Sequence, residues 1–220
     1  MKILAIETSG ETLSVAISNN LTIVAQHFYN AGKIHSDVII PLINKTLKDV
    51  NWDIKDIDKL ALSCGPGSFT GIRVSMAVIK TLAQTLNKPV VCIDTLSVLE
   101  NQLKLKDVKI VAAIDALRNE VYTKQKSEVV IVPINSFVKK YKKCKNKIFI
   151  IGNASMVYSQ LFIKELGKQS VSLPQTLNYP QASTLCLMAH NIDGVSFKKI
   201  EPLYVRKSWA EEKKQNYEAD

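Results

Sequence analysis

The first thirty residues alternate short apolar runs with polar turn residues, a pattern typical of β-strands in a half-buried sheet. Three such runs occupy residues 3–8, 12–18 and 21–28. Ser9-Gly10-Glu11 separates the first two runs, and the turn-forming pair Asn19-Asn20 separates the second from the third. The spacing therefore predicts an antiparallel meander of three strands.

The pattern changes to a helical period from Ser36. Residues 36–50 are predicted to form a helix with one continuous stripe, made of Val38, Ile39, Leu42, Ile43, Thr46, Leu47 and Val50. Pro41 lies inside this stripe and is expected either to kink the helix or to mark its first turn.

A strand, a glycine-rich loop and a second helix follow. The strand is predicted at 60–63, the loop at 64–71 and the helix from Gly71 to about Leu86. A further strand is predicted at 89–93, and Thr95 can cap the helix that comes after it. The first half of the chain thus has the element order βββαβαβα.

The second half begins with the same order of elements. The predicted strands are 110–115, 120–124, 128–132 and 148–151, and the predicted helices start at Ser136 and after Gly152-Asn153. The pairs Ile6-Glu7 and Ile114-Asp115 stand at the ends of corresponding first strands. Two copies of βββαβα predict a duplicated fold.

This duplicated order resembles that of the actin-like ATPase superfamily, which has a ribonuclease H-like α/β fold. The resemblance implies two halves, each a mixed five-stranded sheet with helices on its faces. The predicted halves are residues 1–106, which carry the glycine-rich loop, and residues 107–220, which end in a C-terminal tail.

Composition excludes several classes of protein. The chain has 220 residues, 46% of them apolar, which is enough to build a packed core. It contains neither the apolar region of a signal peptide nor a run of about 18 uncharged apolar residues, so we expect a cytoplasmic protein without a membrane span. Its four cysteines and three histidines are isolated from one another, so we expect free buried thiols and no metal site.

The net charge of +9 would suit a polyanionic partner, but 26 of the 29 basic residues are lysine. Bidentate recognition of phosphates and bases favours arginine. The densest basic run, residues 139–147, contains Tyr141 and could contact RNA through phosphates and one stacked base. A solvated helix end is the simpler interpretation of the same run.

The loop at 64–71 contains Gly65, Gly67 and Gly71 directly before a helix start, where free backbone amides favour an anion. It is not a P-loop, because the Gly-Lys-Ser/Thr ending is absent. The spacing alone leaves two interpretations open: a phosphate site, and a tight structural turn, which is the more frequent use of such loops.

As a whole, residues 65–73 (GPGSFTGIR) resemble the GPGSFTGxR hallmark of the TsaB family, also called YeaZ. Segments along nearly the full length are similar to other motifs of that family; they are ILAIETS at 3–9, His35-Ser36, DTL at 94–96, AIDA at 113–116, EVY at 120–122 and EPLYVR at 201–206.

The resemblance implies a non-catalytic subunit that binds and activates TsaD, the enzyme that transfers a threonylcarbamoyl group to N6 of adenosine 37 in tRNAs reading ANN codons. TsaD-like enzymes hold a metal with an HxxxH pair, whereas the positions four residues either side of His35 are Ala31 and Ile39. The metal and the threonylcarbamoyl-adenylate are therefore expected on the partner, and tRNA is expected to be contacted only indirectly.

The same resemblance makes the loop a vestigial nucleotide or phosphate site, formed by Gly65, Gly67, Ser68, Phe69, Thr70, Gly71 and Arg73. The second half offers only Gly152, Gly167 and Gly194, widely separated, in place of the double-glycine turns of actin-like ATPases. This chain is expected to require no cofactor and to bind ATP or ADP weakly at most. Glu7 and Asp115 are assigned no catalytic role.

The partner is expected to bind through the helices at 36–50 and 71–86, since TsaB-like subunits pair through their first two helices. The interface is predicted at Val38, Ile39, Leu42, Ile43, Thr46, Ile72, Met76, Ile79 and Ala83. The same helices would serve a homodimer, and a TsaE-like ATPase is a candidate third component. The alternative hypothesis is a stand-alone actin-like phosphotransferase or hydrolase that uses Glu7, the 64–71 loop and Asp115.

Overall fold

The first sheet contains five strands. The computed structural model describes residues 1–30, 35–144, 147–171 and 173–206, except for the side chains of His35 and Gln169. The predicted meander is confirmed, with β1 (Lys2–Glu7), β2 (Leu13–Asn19) and β3 (Thr22–Tyr29) paired antiparallel. Strands β4 (Lys59–Ser63) and β5 (Val90–Ile93) add in parallel, so the order is β3-β2-β1-β4-β5.

Three helices connect and follow these strands: α1 (His35–Lys48), α2 (Phe69–Leu86) and α3 (Thr95–Asn101). Pro41 lies in the interior of α1 and does not mark its first turn. The cap of α3 is Asp94 and not Thr95 as predicted, because the Asp94 carboxylate accepts the backbone N–H of Ser97 at 2.8 Å. Helices α1 and α2 pack side by side over one face of the first sheet.

The second half contains β6 (Val108–Ala112), β7 (Ile114–Asp115), β8 (Glu120–Gln125), β9 (Glu128–Pro133) and β10 (Lys147–Ile151). They form two sheets among the described residues, a parallel pair β10-β6 and an antiparallel sheet β7-β8-β9. The prediction of a single five-stranded sheet in this half is therefore wrong.

The break in the second half lies at Ala113, which interrupts the strand predicted at 110–115. The Ala113 N–H donates to the carbonyl of Ile151 at 2.8 Å, while its own carbonyl accepts the N–H of Ala154 at 3.3 Å. Both backbone groups of Ala113 therefore bond to β10 and to the residues just after it. The next strand, β7, pairs with β8 instead.

Four more helices complete the described chain: α4 (Ile134–Lys142), α5 (Ala154–Val157), α6 (Ser159–Leu166) and α7 (Ala182–His190). Helices α4 and α6 bury Phe137 and Phe162, whose ring centroids lie 5.8 Å apart in the core of the second half. The division of the chain at 106 and 107 stays a prediction.

Helix α7 belongs to the second half by sequence but packs on the first sheet. Its residues Ala182, Leu185, Cys186 and Ala189 are buried against the face of that sheet opposite α1 and α2. The first sheet is thereby covered on both faces, which explains why its central strands β1 and β4 are almost continuously apolar.

Candidate functional site

The glycine-rich loop packs directly on the end of β1. The Ser68 N–H donates to the Ser9 carbonyl at 2.7 Å, and the Thr8 hydroxyl donates to the Gly71 carbonyl at 2.7 Å. A Cβ added at Gly67 would overlap the Ser9 carbonyl oxygen, and one added at Gly71 would overlap that of Thr8. Close backbone packing thus accounts for both glycines without a bound ligand.

Ser68 caps the start of α2, where a phosphate would have to bind. Its hydroxyl accepts the N–H of Gly71 at 3.2 Å, so one of the orphan amides of the first turn is already satisfied. Ser68 and Thr70 border a cavity of about 780 Å³ that lies between the first and second halves. The loop is therefore both a structural turn and part of a cavity wall.

Two carboxylates line this cavity, those of Glu11 and Asp115. No lysine, arginine or histidine belongs to its wall within the described ranges. The rest of the wall is made of hydroxyl, amide and apolar side chains. Among the described residues of the wall, a phosphate in this cavity would therefore face two negative charges and no positive side chain.

Asp115 is held in a fixed orientation at the cavity wall. Its Oδ1 accepts the N–H of Leu117 at 3.1 Å and the hydroxyl of Tyr158 at 2.9 Å, and its N–H donates to Asn153 at 2.8 Å. Burial and the hydrogen bond to this carboxylate raise the pKa of Tyr158 to about 12, so the phenol stays protonated and continues to donate.

Glu7 does not reach the cavity. It is completely buried, with Oε1 accepting the N–H of Ser9 at 2.6 Å and Oε2 accepting the hydroxyl of Ser63. Burial raises the pKa of the Glu7 carboxyl above its ordinary value of 4.5, although the bonds from Ser63 and Ser9 oppose this shift. Glu7 thus ties β1, β4 and the following turn together.

Because the pKa of Glu7 is raised by folding, its protonated form favours the folded state. Its contribution to stability is fully present below about pH 4.5 and is lost as the pH rises through the folded-state pKa. We compare the free energy of unfolding of the native chain with that of the Glu7→Gln variant. As the pH falls from neutral toward about 4.5, the native chain is expected to become more stable relative to the variant. Urea unfolding at a series of pH values measures this difference; exposed Glu11→Gln is the control, and a pH-independent difference would contradict the assignment.

Arg73, the last residue of the 65–73 motif, points away from the cavity. Its guanidinium lies 3.9 Å from the ring centroid of Phe69, and its Nε donates to the Tyr204 hydroxyl at 3.0 Å. The rings of Phe69 and Tyr204 are 5.4 Å apart. The structure thus places Arg73 in an exposed cluster with Phe69 and Tyr204 and not among the residues that could hold a phosphate in the cavity.

The segment 200–206 links the two halves. The Leu203 N–H donates to the Cys64 carbonyl at 2.7 Å, at the base of the glycine-rich loop. Arg206 donates from Nη1 to the Ala116 carbonyl at 2.9 Å and forms an ion pair with Glu120 through Nη2. Three motifs far apart in sequence, at 65–73, 113–122 and 201–206, therefore meet through this segment.

Replacing Arg206 with glutamine is expected to lower the free energy of unfolding by about 1–2 kcal/mol, because a charge-assisted pair and a bond to a carbonyl are lost together. Chemical denaturation measures the change, and Lys198→Gln, an exposed lysine of the neighbouring turn, is the control. Equal stability of the two variants would show that the Arg206 contacts contribute nothing.

The residues predicted to form the partner interface are mostly buried inside the chain. Eight of them are at most 8% exposed and belong to the protein's own core; they are Ile39, Leu42, Ile43, Thr46, Ile72, Met76, Ile79 and Ala83. Val38 is half-buried. The apolar stripes of α1 and α2 pack on the first sheet, so these eight side chains present little surface in the chain as described, and their role in an interface stays a prediction.

The opposite side of α2 is exposed and carries almost no charge. Arg73 and Lys80 are the only charged residues among the 18 of this helix. We define the outer face of α2 as its exposed small and polar residues with the half-buried apolar residues beside them; these are Ala77, Thr81, Gln84 and Thr85, and Val74, Val78 and Leu82. Solvated helix faces are normally rich in charge, so this composition is typical of a surface that a partner covers.

The chain is similar to known proteins in a family model and in individual relatives. The family model described as "TsaD: tRNA N6-adenosine threonylcarbamoyltransferase" matches residues 22–214. A protein of Buchnera aphidicola subsp. Schizaphis graminum, "tRNA threonylcarbamoyladenosine biosynthesis protein TsaB", is 35% identical over 69% of this chain and 78% of its own length. The chain belongs to the TsaB branch of the TsaD family.

Two other relatives, one a sequence and one a solved structure, are similar to this chain over nearly its whole length. The TsaB protein of Bacillus subtilis (strain 168) is 27% identical over 97% of both chains. The solved structure "YeaZ from Pseudomonas aeruginosa" superposes with a TM-score of 0.72 at 24% identity, covering 92% of this chain and 99% of that one. The α/β fold of this chain is therefore that of YeaZ.

In this TsaB-family chain four lysines of the run 139–147 lie on the solvent side of α4 and at its C-terminal end. Lys139, Lys140, Lys142 and Lys143 are exposed, and Lys142 pairs with Glu165 at 2.8 Å. Phe137, Val138 and Tyr141 form the buried side of the helix. This arrangement fits a solvated amphipathic helix; contact with RNA stays a prediction, and Lys145 and Asn146 lie outside the described residues.

The described cysteines are free, but only Cys186 is fully buried; Cys64, Cys92 and Cys144 are half-buried, so the prediction of buried thiols is wrong for these three. The described part of the chain holds no group of three or more metal-ligating side chains and no helix long and apolar enough to cross a membrane. The side chain of His35, Ala31 and the tail from 207 onward fall outside the description.

Sequence reasoning missed part of the cavity wall. Asn178, Tyr179 and Pro180 contribute to this wall, yet no motif marks them. Sequence reasoning also missed the contact of Arg206 with Ala116 and Glu120. The segments 113–122 and 201–206 each resemble a family motif, but the sequence does not show that they touch.

Proposed function

We propose that the chain is a non-catalytic subunit of the complex that transfers a threonylcarbamoyl group to N6 of adenosine 37 in tRNAs reading ANN codons. The observation that carries this proposal is its family: similar proteins of several bacteria bear the name "tRNA threonylcarbamoyladenosine biosynthesis protein TsaB". The matching family model is that of the transferase TsaD, which supports a common ancestry of this chain and that enzyme.

The partner is a TsaD-like catalytic subunit, which this chain binds and activates. The outer face of α2 supports this part of the proposal because it is exposed, poor in charge and continuous with half-buried apolar side chains. Ile40 of the neighbouring helix α1, 47% exposed, extends the apolar character. The same face would serve a homodimer, and the chain would act in the cytoplasm.

Two observations support a non-catalytic role. The carboxylate of Glu7, at the end of the first strand, is fully buried, and each of its oxygens already accepts a hydrogen bond, from Ser9 and from Ser63. Among the described residues, the charged side chains of the cavity wall are the two carboxylates of Glu11 and Asp115. Neither feature suits a stand-alone phosphotransferase, so the chain needs no cofactor, binds ATP weakly, and leaves the metal and the adenylate to its partner.

The test is a reconstituted assay with tRNA, threonylcarbamoyl-adenylate and the TsaD-like protein of the same organism. We expect the modified nucleoside to form rapidly only when this chain is added to the TsaD-like protein, and not with this chain alone. Modification by this chain without a partner would overturn the non-catalytic role, and no effect of the chain on its partner would overturn the proposal as a whole.

A further inference from the structure

The net charge of this chain is concentrated in one stretch of sequence. Residues 102–171 contain 14 of the 29 basic residues but only 5 of the 20 acidic ones, whereas the rest of the sequence contains 15 of each. The whole excess of +9 therefore lies in this stretch, which forms most of the second half. A general preference for lysine would act along the entire chain, so it does not explain this concentration.

Six exposed lysines of the stretch lie at one end of the second half. The parallel strands β6 and β10 both begin there, with Lys147 of β10 opposite Val108 and next to Lys109 of β6. Helix α4 ends shortly before β10, and the loop 102–107, which contains the acidic Asp107, leads into β6 at the same end. We call this surface the basic end and define it by its exposed lysines; these are Lys104, Lys106, Lys109, Lys140, Lys143 and Lys147.

Two elements of the basic end meet at Tyr141. The ammonium group of Lys109, on β6, lies 5.7 Å from the centroid of the Tyr141 ring, and that of Lys140, on α4, lies 5.4 Å from it. The ring therefore holds cations from two neighbouring elements close together. Tyr141 itself is only 6% exposed, which is too little to stack on a base. The basic end thus offers phosphate contacts and no stacking platform at this tyrosine.

Helix geometry explains only part of this surface. Lysines in the last turn of a helix stabilise the partial negative charge of its C-terminal end, and Lys140 occupies such a position in α4. Lys104 and Lys106 lie in a loop, while Lys109 and Lys147 lie on strands, so none of these four belongs to the last turn of a helix. Their mutual repulsion favours an anionic partner that covers them together.

The basic end is separate from the cavity between the two halves. Strands β6 and β10 run away from the basic end and finish near the cavity, whose wall contains Ile114 and Asn153. A strand of five residues spans about 16 Å. The lysines and the cavity therefore lie at opposite ends of the same pair of strands.

We propose that the basic end binds the phosphate backbone of RNA, so that tRNA contacts this chain directly and not only through its partner. Lysine ammonium groups are compact point charges that attract phosphates without reading the sequence. Binding is then expected to depend steeply on salt, because phosphate contacts release counterions, and little on base sequence. Naming the RNA as tRNA rests on the function proposed above.

Fluorescence anisotropy of labelled, unmodified tRNA titrated with the full chain alone, over a series of salt concentrations, tests the proposal. A basic-end variant is expected to bind at least about tenfold more weakly than the native chain and to flatten the slope of log K against log salt by roughly 3. Its four substitutions are Lys109→Gln, Lys140→Gln, Lys143→Gln and Lys147→Gln.

The matched control removes the same charge from exposed lysines elsewhere and should lose less than about threefold in affinity; its substitutions are Lys45→Gln, Lys48→Gln, Lys55→Gln and Lys199→Gln. Equal losses in the two folded variants, or no binding of tRNA by the native chain at low salt, would overturn the proposal. Vesicles of phosphatidylcholine and phosphatidylserine provide a competing anionic surface, and binding to them as tight as to tRNA would overturn RNA as the occupant.

A second readout uses the reconstituted assay with the TsaD-like partner. The basic-end variant is expected to keep its complex with the partner and to raise the KM for tRNA several-fold at unchanged kcat, because the lost contacts act in binding. A native KM would overturn the direct contact and leave the subunit function intact. The anisotropy measurement needs no partner, so it decides the proposal even where the proposed function fails.

Discussion

Replacing Ala77 and Thr81 together with arginine is expected to abolish stable binding to the TsaD-like partner while the chain stays folded. Both residues are exposed and one turn apart on the outer face of α2. Arginine has a good helix propensity and is tolerated on an exposed surface, but two unpaired charges would have to be desolvated in an interface poor in charge. We expect affinity to fall at least about 100-fold, or roughly 3 kcal/mol, as measured by calorimetry.

The matched control adds the same charge to another exposed helix surface. Gln160→Arg with Ile163→Arg changes two exposed residues of α6, and Ile163 is 43% exposed. This variant should bind the partner like the native chain. Undiminished binding by folded Ala77→Arg, Thr81→Arg, or equal loss in the control, would show that the outer face of α2 is not the interface.

Replacing Gly71 with alanine is expected to destabilise the chain more than any other single substitution considered above. The added Cβ would overlap the carbonyl oxygen of Thr8, which is backbone of the β1 end and cannot move aside as a flexible side chain could. Overpacking of this kind costs about 3 kcal/mol or more. For a chain of this size the midpoint of thermal unfolding should fall by roughly 10 °C.

Gly10→Ala is the matched control for this substitution, because a Cβ at Gly10 would meet no atom within 4 Å. Both variants replace a glycine with alanine, and the two positions lie on either side of the contact between the loop and β1. Gly10→Ala should unfold within about 2 °C of the native chain. A small effect at Gly71 would mean that the loop does not pack on Thr8 in solution.

The order of strands and helices could be predicted because it depends on local periodicity, which the strands and the helices α1 and α2 follow. The break at Ala113 could not, since the run from 110 to 114 is apolar throughout and only tertiary hydrogen bonds divide it. Helix α7 could not be predicted either. This helix is apolar on most of its sides because it packs on the sheet. A short buried helix of this kind shows no periodic alternation of apolar and polar residues in the sequence.

The interface prediction shows where periodicity stops being informative. Helix α2 carries two apolar stripes, one through Met76 and Ile79 and another through Val74 and Val78. The pattern indicates that both must be covered, but it does not say which one the chain covers itself. The structure answers this in part: the first stripe is buried on the sheet, and the second is half-buried at the edge of the same core.

The chemistry of the cavity could be predicted only in part. The glycines, Ser68 and Asp115 stand in motifs and drew attention, whereas Asn178 and Tyr179 come from a segment without any recognisable pattern. The acidic character of the cavity depends on which side chains converge there. Glu7 illustrates this well, since it ends a strand like Asp115 but is held in the core by Ser9 and Ser63.

The most direct test of the central claim is light scattering on a sizing column with this chain and the TsaD-like protein of the same organism, separately and mixed. We expect the mixture to elute as one species whose mass is that of a 1:1 complex or of its dimer. Separate elution of the two folded proteins at micromolar concentration would contradict the claim that this chain is a subunit of that enzyme.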